Sequence, residues 1–324
     1  MKRVGVIGSF VWDIIHGRDP GRRPVEEWGG VTYALSGFDA ALTNDWQVVP
    51  LTKVGRDLWP RACEFLRTLR RVAPDANPIE VAQPNNRVTL RYLDDERRSE
   101  VLTGGVPPWH WLGLKPLLTD LDALYVNLLS GFELDLEVMQ LIRQHFRGPI
   151  YCDLHSLFLA VQPDGLRTWQ PIPNVDGWLR CMDVLQVNEE EMRMMADDPL
   201  ALAARAMNAG VTSLIVTLGA RGAVFVNAPH FTRLSDLVTR DRAAFVSGPV
   251  QTALVHAHAA RVKGTDADPT GCGDVFGATL FSRLLCGDTF SIALHTAHTA
   301  AARNVEFHGA SGLAHHLRGE LIPT

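Results

Sequence analysis

Asp268-Pro-Thr-Gly-Cys-Gly-Asp274 runs directly into Val275-Phe-Gly-Ala-Thr-Leu-Phe281. Glycines and an acid precede an apolar run with helical spacing: Val275, Phe276, Ala278, Leu280, Phe281, Leu284 and Leu285. The pattern predicts a glycine-rich turn feeding a helix N-terminus. Free backbone N–H groups and the positive end of the helix dipole converge at such a turn, so it can hold an anion. Glycine lets the backbone approach a phosphate closely. The carboxylate of Asp274 is out of place beside a phosphate unless it takes a proton from a group about to attack that phosphate. An anion cradle next to a general base is what phosphoryl transfer to an alcohol requires.

Composition bounds the alternatives. The chain has 324 residues, 46% hydrophobic and 21% charged, with a net charge of −5. These values fit a globular protein with a large core. No basic excess points to nucleic acid, and no apolar stretch reaches transmembrane length. The start, Met1-Lys-Arg-Val-Gly-Val-Ile-Gly8, reads as a buried strand and not as a signal peptide. The cysteines at 63, 152, 181, 272 and 286 lack metal-ligand spacing and read as reduced cytosolic thiols, which gives a cytoplasmic expectation.

Outward from the turn, strand and helix patterns alternate. Strands are expected at Val4–Ile7, Trp46–Leu51, Ala123–Asn127, Pro149–Asp153, Val184–Val187 and Ser213–Thr217, with helices between them. This order predicts an α/β fold with a mostly parallel sheet and helices on both faces. Ligands in such sheets bind at the carboxyl ends of the strands. Asp13, Asp153, Asn188 and Gly219 are expected at or just beyond such ends. Gly5-Val-Ile-Gly8 lacks the third glycine of a dinucleotide fingerprint.

Two segments break the rhythm. Phe10–Ile15 continues in an extended pattern with Asp13 in its middle, before a polar stretch, Gly17–Pro24. Arg87–Leu93 and Ser99–Thr103 read as a hairpin turning at Asp94-Asp95-Glu96. Together they predict a small sheet standing off the main one. Residues 223–267 form a long separate stretch holding Leu234–Arg242 and His256-Ala-His258. A local elaboration is expected there.

Four further motifs carry polar groups. Asn188-Glu-Glu-Glu191 follows a strand and opens a helix, as an N-cap with acids in its first turn does. Glu189 and Glu190 are expected to be solvated. Thr217-Leu-Gly-Ala-Arg-Gly222 reads as a strand-to-hairpin turn. Asp153-Leu-His155-Ser156 ends a strand. It reads equally as a polar cluster lining a substrate cleft or as a capped turn. A hydrolase triad is disfavoured because no Gly-x-Ser-x-Gly elbow is present. Gly29-Gly30 precedes the helix that carries Tyr33.

Taken with the turn at 268–274, these motifs resemble those of the ribokinase-like (PfkB) sugar and nucleoside kinases. The family's signature is approximately Asp-x-x-Gly-Ala-Gly-Asp, with Cys272 here in place of the alanine. The resemblance covers nearly the whole chain. It implies a ribokinase-like three-layer fold over residues 1–324 as one kinase domain. The lid is a small β-sheet of segments approximately 11–28 and 87–103. It implies an ATP-dependent carbohydrate kinase acting on an alcohol of a sugar or sugar-like compound. Asp274 is then the base, and Gly271, Cys272 and Gly273 form the anion hole. Asn188 and Glu191 organise Mg²⁺, mainly through water, together with the phosphates. Thr217, Gly219 and Gly222 contact the nucleotide. Asp13, Gly29 and Gly30 hold the acceptor, with Tyr33 and Asp153 nearby. A homodimer through the lid is also expected, with no nucleic acid or membrane partner. Ala34 stands where the family often carries Asn, so Tyr33 or Thr32 is expected to compensate. The alternatives are a nucleoside kinase of the same family and a catalytically silent nucleotide or sugar binder. For Cys272, the helix N-terminus lowers the thiol pKa and the Asp274 carboxylate opposes this, so at most modest reactivity is expected.

Overall fold

The computed structural model describes residues 1–16, 23–92, 98–238, 248–261 and 267–321. Its strands in chain order are β1 (Lys2–Ile7), β2 (Phe10–His16), β3 (Val25–Gly30), β4 (Trp46–Leu51), β5 (Lys53–Gly55), β6 (Ile79–Val81), β7 (Arg87–Tyr92) and β8 (Arg98–Thr103). They continue with β9 (Ala123–Asn127), β10 (Ile150–Asp153), β11 (Leu159–Val161), β12 (Arg167–Trp169), β13 (Val184–Asn188), β14 (Ser213–Thr217), β15 (Ala223–Asn227) and β16 (Gln251–Val255).

Eight strands form the main sheet in the order β16-β15-β14-β13-β10-β9-β1-β4. From β14 to β4 every pairing is parallel. The central strands Leu124–Val126 and Leu214–Val216 are apolar and buried without alternation, apart from the Tyr125 hydroxyl. That run is expected where helices cover both faces of a parallel sheet. One covering layer contains the helices Val31–Ala41, Trp59–Arg67, Cys272–Leu285, Phe290–Val305 and Leu313–Arg318. The other contains Leu136–His145, Val175–Leu179, Glu189–Met195 and Pro199–Asn208. Local signals set the helix starts. Asp135 accepts from Val138 N at 2.7 Å, and Asp198 accepts from Leu200 N and Ala201 N ahead of Pro199.

The second sheet, in the order β3-β2-β7-β8, stands apart as the sequence predicts. Its aliphatic face gathers Val11, Val88, Leu90 and Leu102, with Ile15 and Phe132 against them. A third element, unforeseen in the sequence, joins this lid. The β11–β12 hairpin reaches across to β8, where Val101 bridges Leu166 and Leu102 N donates to Gly165 O at 2.8 Å.

Several expectations need correction. Asp13 lies inside the lid strand β2, opposite Glu27, and not at a strand end of the main sheet. The stretch 223–267 is less of an elaboration than its length suggests. β15 folds back antiparallel on β14 and β16 antiparallel on β15, extending the main sheet by two strands. Within Leu234–Arg242 a short helix, Ser235–Val238, forms, and residues 239–247 lie outside the described residues. The turns at 17–22 and 94–96 also fall outside them.

Candidate active site

The floor of the site is a polar row across three adjacent strands. Asn127 on β9, Asp153 on β10 and Gln186 on β13 are register partners, so their side chains emerge on one face. Two residues earlier the same face carries Tyr125 and Tyr151, stacked with ring centroids 5.1 Å apart. Phe281 of the Cys272–Leu285 helix packs on Tyr151 at 5.3 Å. This aromatic tier fixes the height of the helix above the sheet and brings its first turn onto the polar row.

Every member of the row is tied. Tyr151 donates its hydroxyl to Gln186 Oε1 at 2.6 Å, which orients the amide. Gln186 Nε2 then donates to Asp153 Oδ2 at 2.8 Å and to Gly273 O at 3.0 Å. Asn127 Nδ2 donates to Asp274 Oδ1 at 2.5 Å. Asp274 is 7% exposed, in the first turn of the helix. Burial pushes its pKa up to about 7, while the Asn127 amide pulls it down. Asp153 is pushed well above the usual carboxylate range by burial and by Glu191 and Asp274. Glu191 is pushed up to about 8, mainly by burial, against the favourable backbone N–H of Asn188.

Asp153, Gln186, Glu191, Gly273 and Asp274 line one cleft of about 450 Å³. Its lid side is Val11, Asp13, Val88 and Leu90; its far side includes Asn188, Glu191, Thr217 and Gly219. Gly271, Cys272, Gly273 and Asp274 face it together, as do Gly30, Tyr33, Asp153, His155 and Ser156. The cluster Asp153–Ser156 thus takes the cleft-lining alternative. His155 there has a φ of 36°, an uncommon conformation for a residue with a side chain.

Two expected site residues are not among those lining the cleft. A Cβ on Gly29 would stand 1.8 Å from Asp13 Oδ2, so this glycine makes room for Asp13 and not for a ligand. Gly222 lies instead against Val255 of β16. Thr32 donates its hydroxyl to Gly29 O at 2.9 Å and is buried, which leaves Tyr33 as the group facing the cleft. The Tyr33 phenol is 2% exposed and pushed far up, chiefly by burial and then by Glu27, Asp268, Asp13 and Asp274, so it stays neutral.

Asn188 and Glu191 form a reciprocal cap. Glu191 N donates to Asn188 Oδ1 at 2.9 Å, and Asn188 N to Glu191 Oε2 at 2.8 Å. Asn188 Nδ2 also donates to Glu191 Oε1 at 2.6 Å. Glu189 is not simply solvated: it pairs with Arg193 and with Arg221 of the Thr217–Gly222 turn, holding that turn against the helix. Among the described residues no cluster of three or more His, Cys, Asp or Glu is arranged as a metal centre. Oxygen donors on Asp153 and Glu191 nevertheless fit Mg²⁺, which binds one or two carboxylates plus ligand oxygens and keeps several waters. A cation would also offset the burial, and the smaller repulsion from neighbouring carboxylates, that raise both acids.

The Cys272 thiol donates to Ala301 O at 3.6 Å, and burial pushes its pKa up to about 11. Burial, with smaller contributions from Asp268 and Asp274, sets the direction, in keeping with the modest reactivity expected from the sequence.

Sequence reading missed Asn127, Gln186, Glu100 and Arg167. Arg167 of β12 donates to Leu129 O and Ser130 O at 3.0 and 3.2 Å and pairs with Glu100 of the lid at 3.5 Å. Both charged residues line the cleft. The available signal was a polar residue closing the apolar strand β9 for Asn127 and one interrupting the apolar strand β13 for Gln186.

Comparison with known proteins bears on this geometry. The model of the pfkB family carbohydrate kinases matches residues 163–316. No curated protein sequence matches the chain. Solved structures share the fold along its length. A ribokinase from Thermotoga maritima is 17% identical, with a TM-score of 0.66 and 98% of each chain covered. A nucleoside kinase from Burkholderia thailandensis in complex with inosine is 17% identical at a TM-score of 0.67, covering 96% of this chain and 94% of its own. A putative ribokinase II from E. coli in complex with ATP and Mg²⁺ is 15% identical at 0.68, covering 96% and 95%. The chain therefore carries a PfkB-family match over residues 163–316 and the ribokinase fold along nearly its whole length, and the family resemblance read in its motifs stands.

Proposed function

We propose that the protein is an ATP-dependent kinase that phosphorylates a hydroxyl of a sugar or sugar-like small molecule. One observation carries the reading. A buried carboxylate with a pKa near neutrality, Asp274, shares a cleft with the glycine turn that opens its own helix. A base poised near pH 7 is matched to deprotonating an alcohol.

In this mechanism Asp274 takes the acceptor's hydroxyl proton as its oxygen attacks the γ-phosphorus. The bond to the β,γ-bridging oxygen breaks, and ADP leaves with that electron pair. The amides of Gly271, Gly273 and Asp274 hold the charge on the transferring group, since that of Cys272 already donates to Pro269 O at 3.2 Å. Thr217 and Gly219 line the donor end of the cleft. Asp153 and Glu191, with Asn188 beside them, would hold Mg²⁺, which neutralises phosphate charge when bound. Asp13 accepts from the acceptor's hydroxyls. Tyr33 supplies a neutral hydroxyl where the family's Asn is missing. The ATP- and Mg²⁺-bound E. coli neighbour supports this choice of donor.

A second reading within the same chemistry is a nucleoside kinase. The aliphatic lid wall of Val11, Val88 and Leu90 favours an acceptor bearing an apolar ring, and the inosine-bound neighbour has this fold. The test is ADP release from ATP across a panel of sugars, polyols and nucleosides. Acceptor-dependent turnover by the wild type, lost in Asp274→Asn, supports the reading. Absence of turnover with every acceptor, beside demonstrable nucleotide binding, favours a silent binder.

A further inference from the structure

Cys272 departs from the family's alanine, and its surroundings give that departure a partner. Asn304 lies fully buried near the end of the Phe290–Val305 helix. Its Nδ2 donates to Thr270 O at 2.8 Å and to Cys272 Sγ at 3.2 Å. Ala301, one turn earlier on the same face, accepts from the Cys272 thiol. Asp268 N donates to Val305 O at 3.0 Å. The turn before the anion hole is therefore laced at three points to the end of a neighbouring helix.

The Thr270 carbonyl is the critical point. Its peptide precedes Gly271, whose φ of 72° and ψ of 2° start the helix. A rotation of that peptide would redirect the Gly271 N–H and swing a carbonyl dipole toward the space a phosphate needs. Asn304 opposes the rotation from behind by holding the carbonyl. Gly271 itself is held close to Tyr33, because a Cβ there would meet its ring at 2.1 Å. A hydrogen bond left unmade in this buried setting is costly, so the carbonyl is held firmly.

We propose that Asn304 is a positioning residue that locks the anion-hole turn, with Cys272 as the second acceptor that orients its amide. The proposal rests on the kinase reading, since it assigns the amides of Gly271, Gly273 and Asp274 to the transferring phosphoryl group. Asn304 touches neither nucleotide nor acceptor; it acts through the Thr270 peptide. A thiol in place of alanine is then a hydrogen-bonding strut.

The test combines kinetics with binding of two nucleotides, ADP and the non-hydrolysable triphosphate AMP-PNP. Asn304→Leu removes the donor at similar volume. Asn304→Ser, smaller and more easily accommodated, cannot span both acceptors. Both variants are expected to lower kcat about 10- to 100-fold, less than the roughly 10²–10³-fold cost of deleting an oxyanion donor outright, because the donors are misaligned and not removed. The acceptor KM and ADP affinity should stay within about twofold of wild type, because neither ligand carries the γ-phosphoryl group that the turn holds. The preference for AMP-PNP over ADP should fall toward unity in both. Wild-type kcat and an intact preference in either folded variant overturn the inference alone. So does a parallel loss of ADP and AMP-PNP affinity, which marks general damage. A wild-type protein that shows no acceptor-dependent turnover with any sugar, polyol or nucleoside overturns the kinase reading and this inference with it.

Discussion

The two walls of the cleft are built on opposite principles. The floor is a polar lattice in which Asn127, Asp153, Gln186 and Asp274 are bound to one another or to the helix start. The lid is an aliphatic surface, Val11, Val88 and Leu90, interrupted by Asp13 and, at its edge, by Glu100. A lattice of short hydrogen bonds tolerates no displacement, and phosphoryl transfer depends on positioning. An aliphatic wall fixes shape and excludes water but leaves the choice of hydroxyl to a few groups. In the proposed mechanism the floor holds the chemistry, and the lid holds the identity of the acceptor.

Substitutions on each wall should separate these duties. The largest effect is expected at the base. Asp274→Asn should lower kcat by roughly 10²–10⁴-fold with nucleotide affinity nearly intact, as measured by single-turnover kinetics and calorimetry. Near wild-type turnover would remove Asp274 from the mechanism.

Next comes the lid carboxylate. Asp13→Asn should raise the acceptor KM by about 10- to 100-fold while changing kcat much less, because a charged hydrogen bond to the ligand is lost. A fall in kcat at unchanged KM would move Asp13 to the catalytic wall and blur the division.

Asn127→Leu tests the floor through pH. The base works ionised, so turnover should rise with pH through about 7 in the wild type. The Asn127 amide stabilises the carboxylate. Removing it raises the pKa further, so the acidic limb should move up by about one pH unit, a roughly tenfold loss near neutrality that vanishes at alkaline pH. Asp153, Glu191, Tyr33 and Tyr125 also feel this site and are unchanged in the variant. A uniform loss at all pH values would mean that Asn127 serves packing only.

Stability gives a smaller signal. Asp274 and Glu191 have folded pKa values raised above those of an unfolded chain, to about 7 and about 8. Their protonated forms favour the folded state in acid, and that contribution fades as pH rises from about 4 through 8. Mg²⁺ with ADP should therefore raise the melting temperature more at pH 8.5 than at pH 6. Equal increments would show that the carboxylates do not meet the metal.

The smallest effect is expected at Cys272. With its pKa pushed up to about 11, brief iodoacetamide treatment should alkylate it less than about a tenth as fast as free cysteine, read by mass spectrometry. Rapid labelling that ATP suppresses would show that the helix N-terminus activates the thiol after all.

What the sequence revealed follows a physical line. Strand runs such as Leu124–Val126 and the glycine turn at 271–274 are contiguous, so local pattern discloses them. Asp274 was legible because a carboxylate beside an anion site needs a reason. Asn127 and Gln186 were not, because their meaning lies in register across strands far apart in the chain. Gly29 was read as space for a ligand because nothing local shows that Asp13 fills that space. The β11–β12 hairpin was invisible for a similar cause. Its strands are three residues each, too short for a periodic signal, and its partner is β8.

That hairpin also bears on how the lid could grow. Strand pairing between molecules needs an edge with free backbone donors and acceptors. Near Val101 and Leu102 one edge of the lid is already occupied by Leu166 and Gly165 of the same chain. The opposite border, Val25–Gly30, pairs only with β2 among the described residues. A second copy adding its own sheet to this one would find the first border guarded there and the second open. Any lid-to-lid assembly would thus have a polarity written by an eleven-residue segment, Leu159–Trp169, that belongs to neither lid segment read from the sequence.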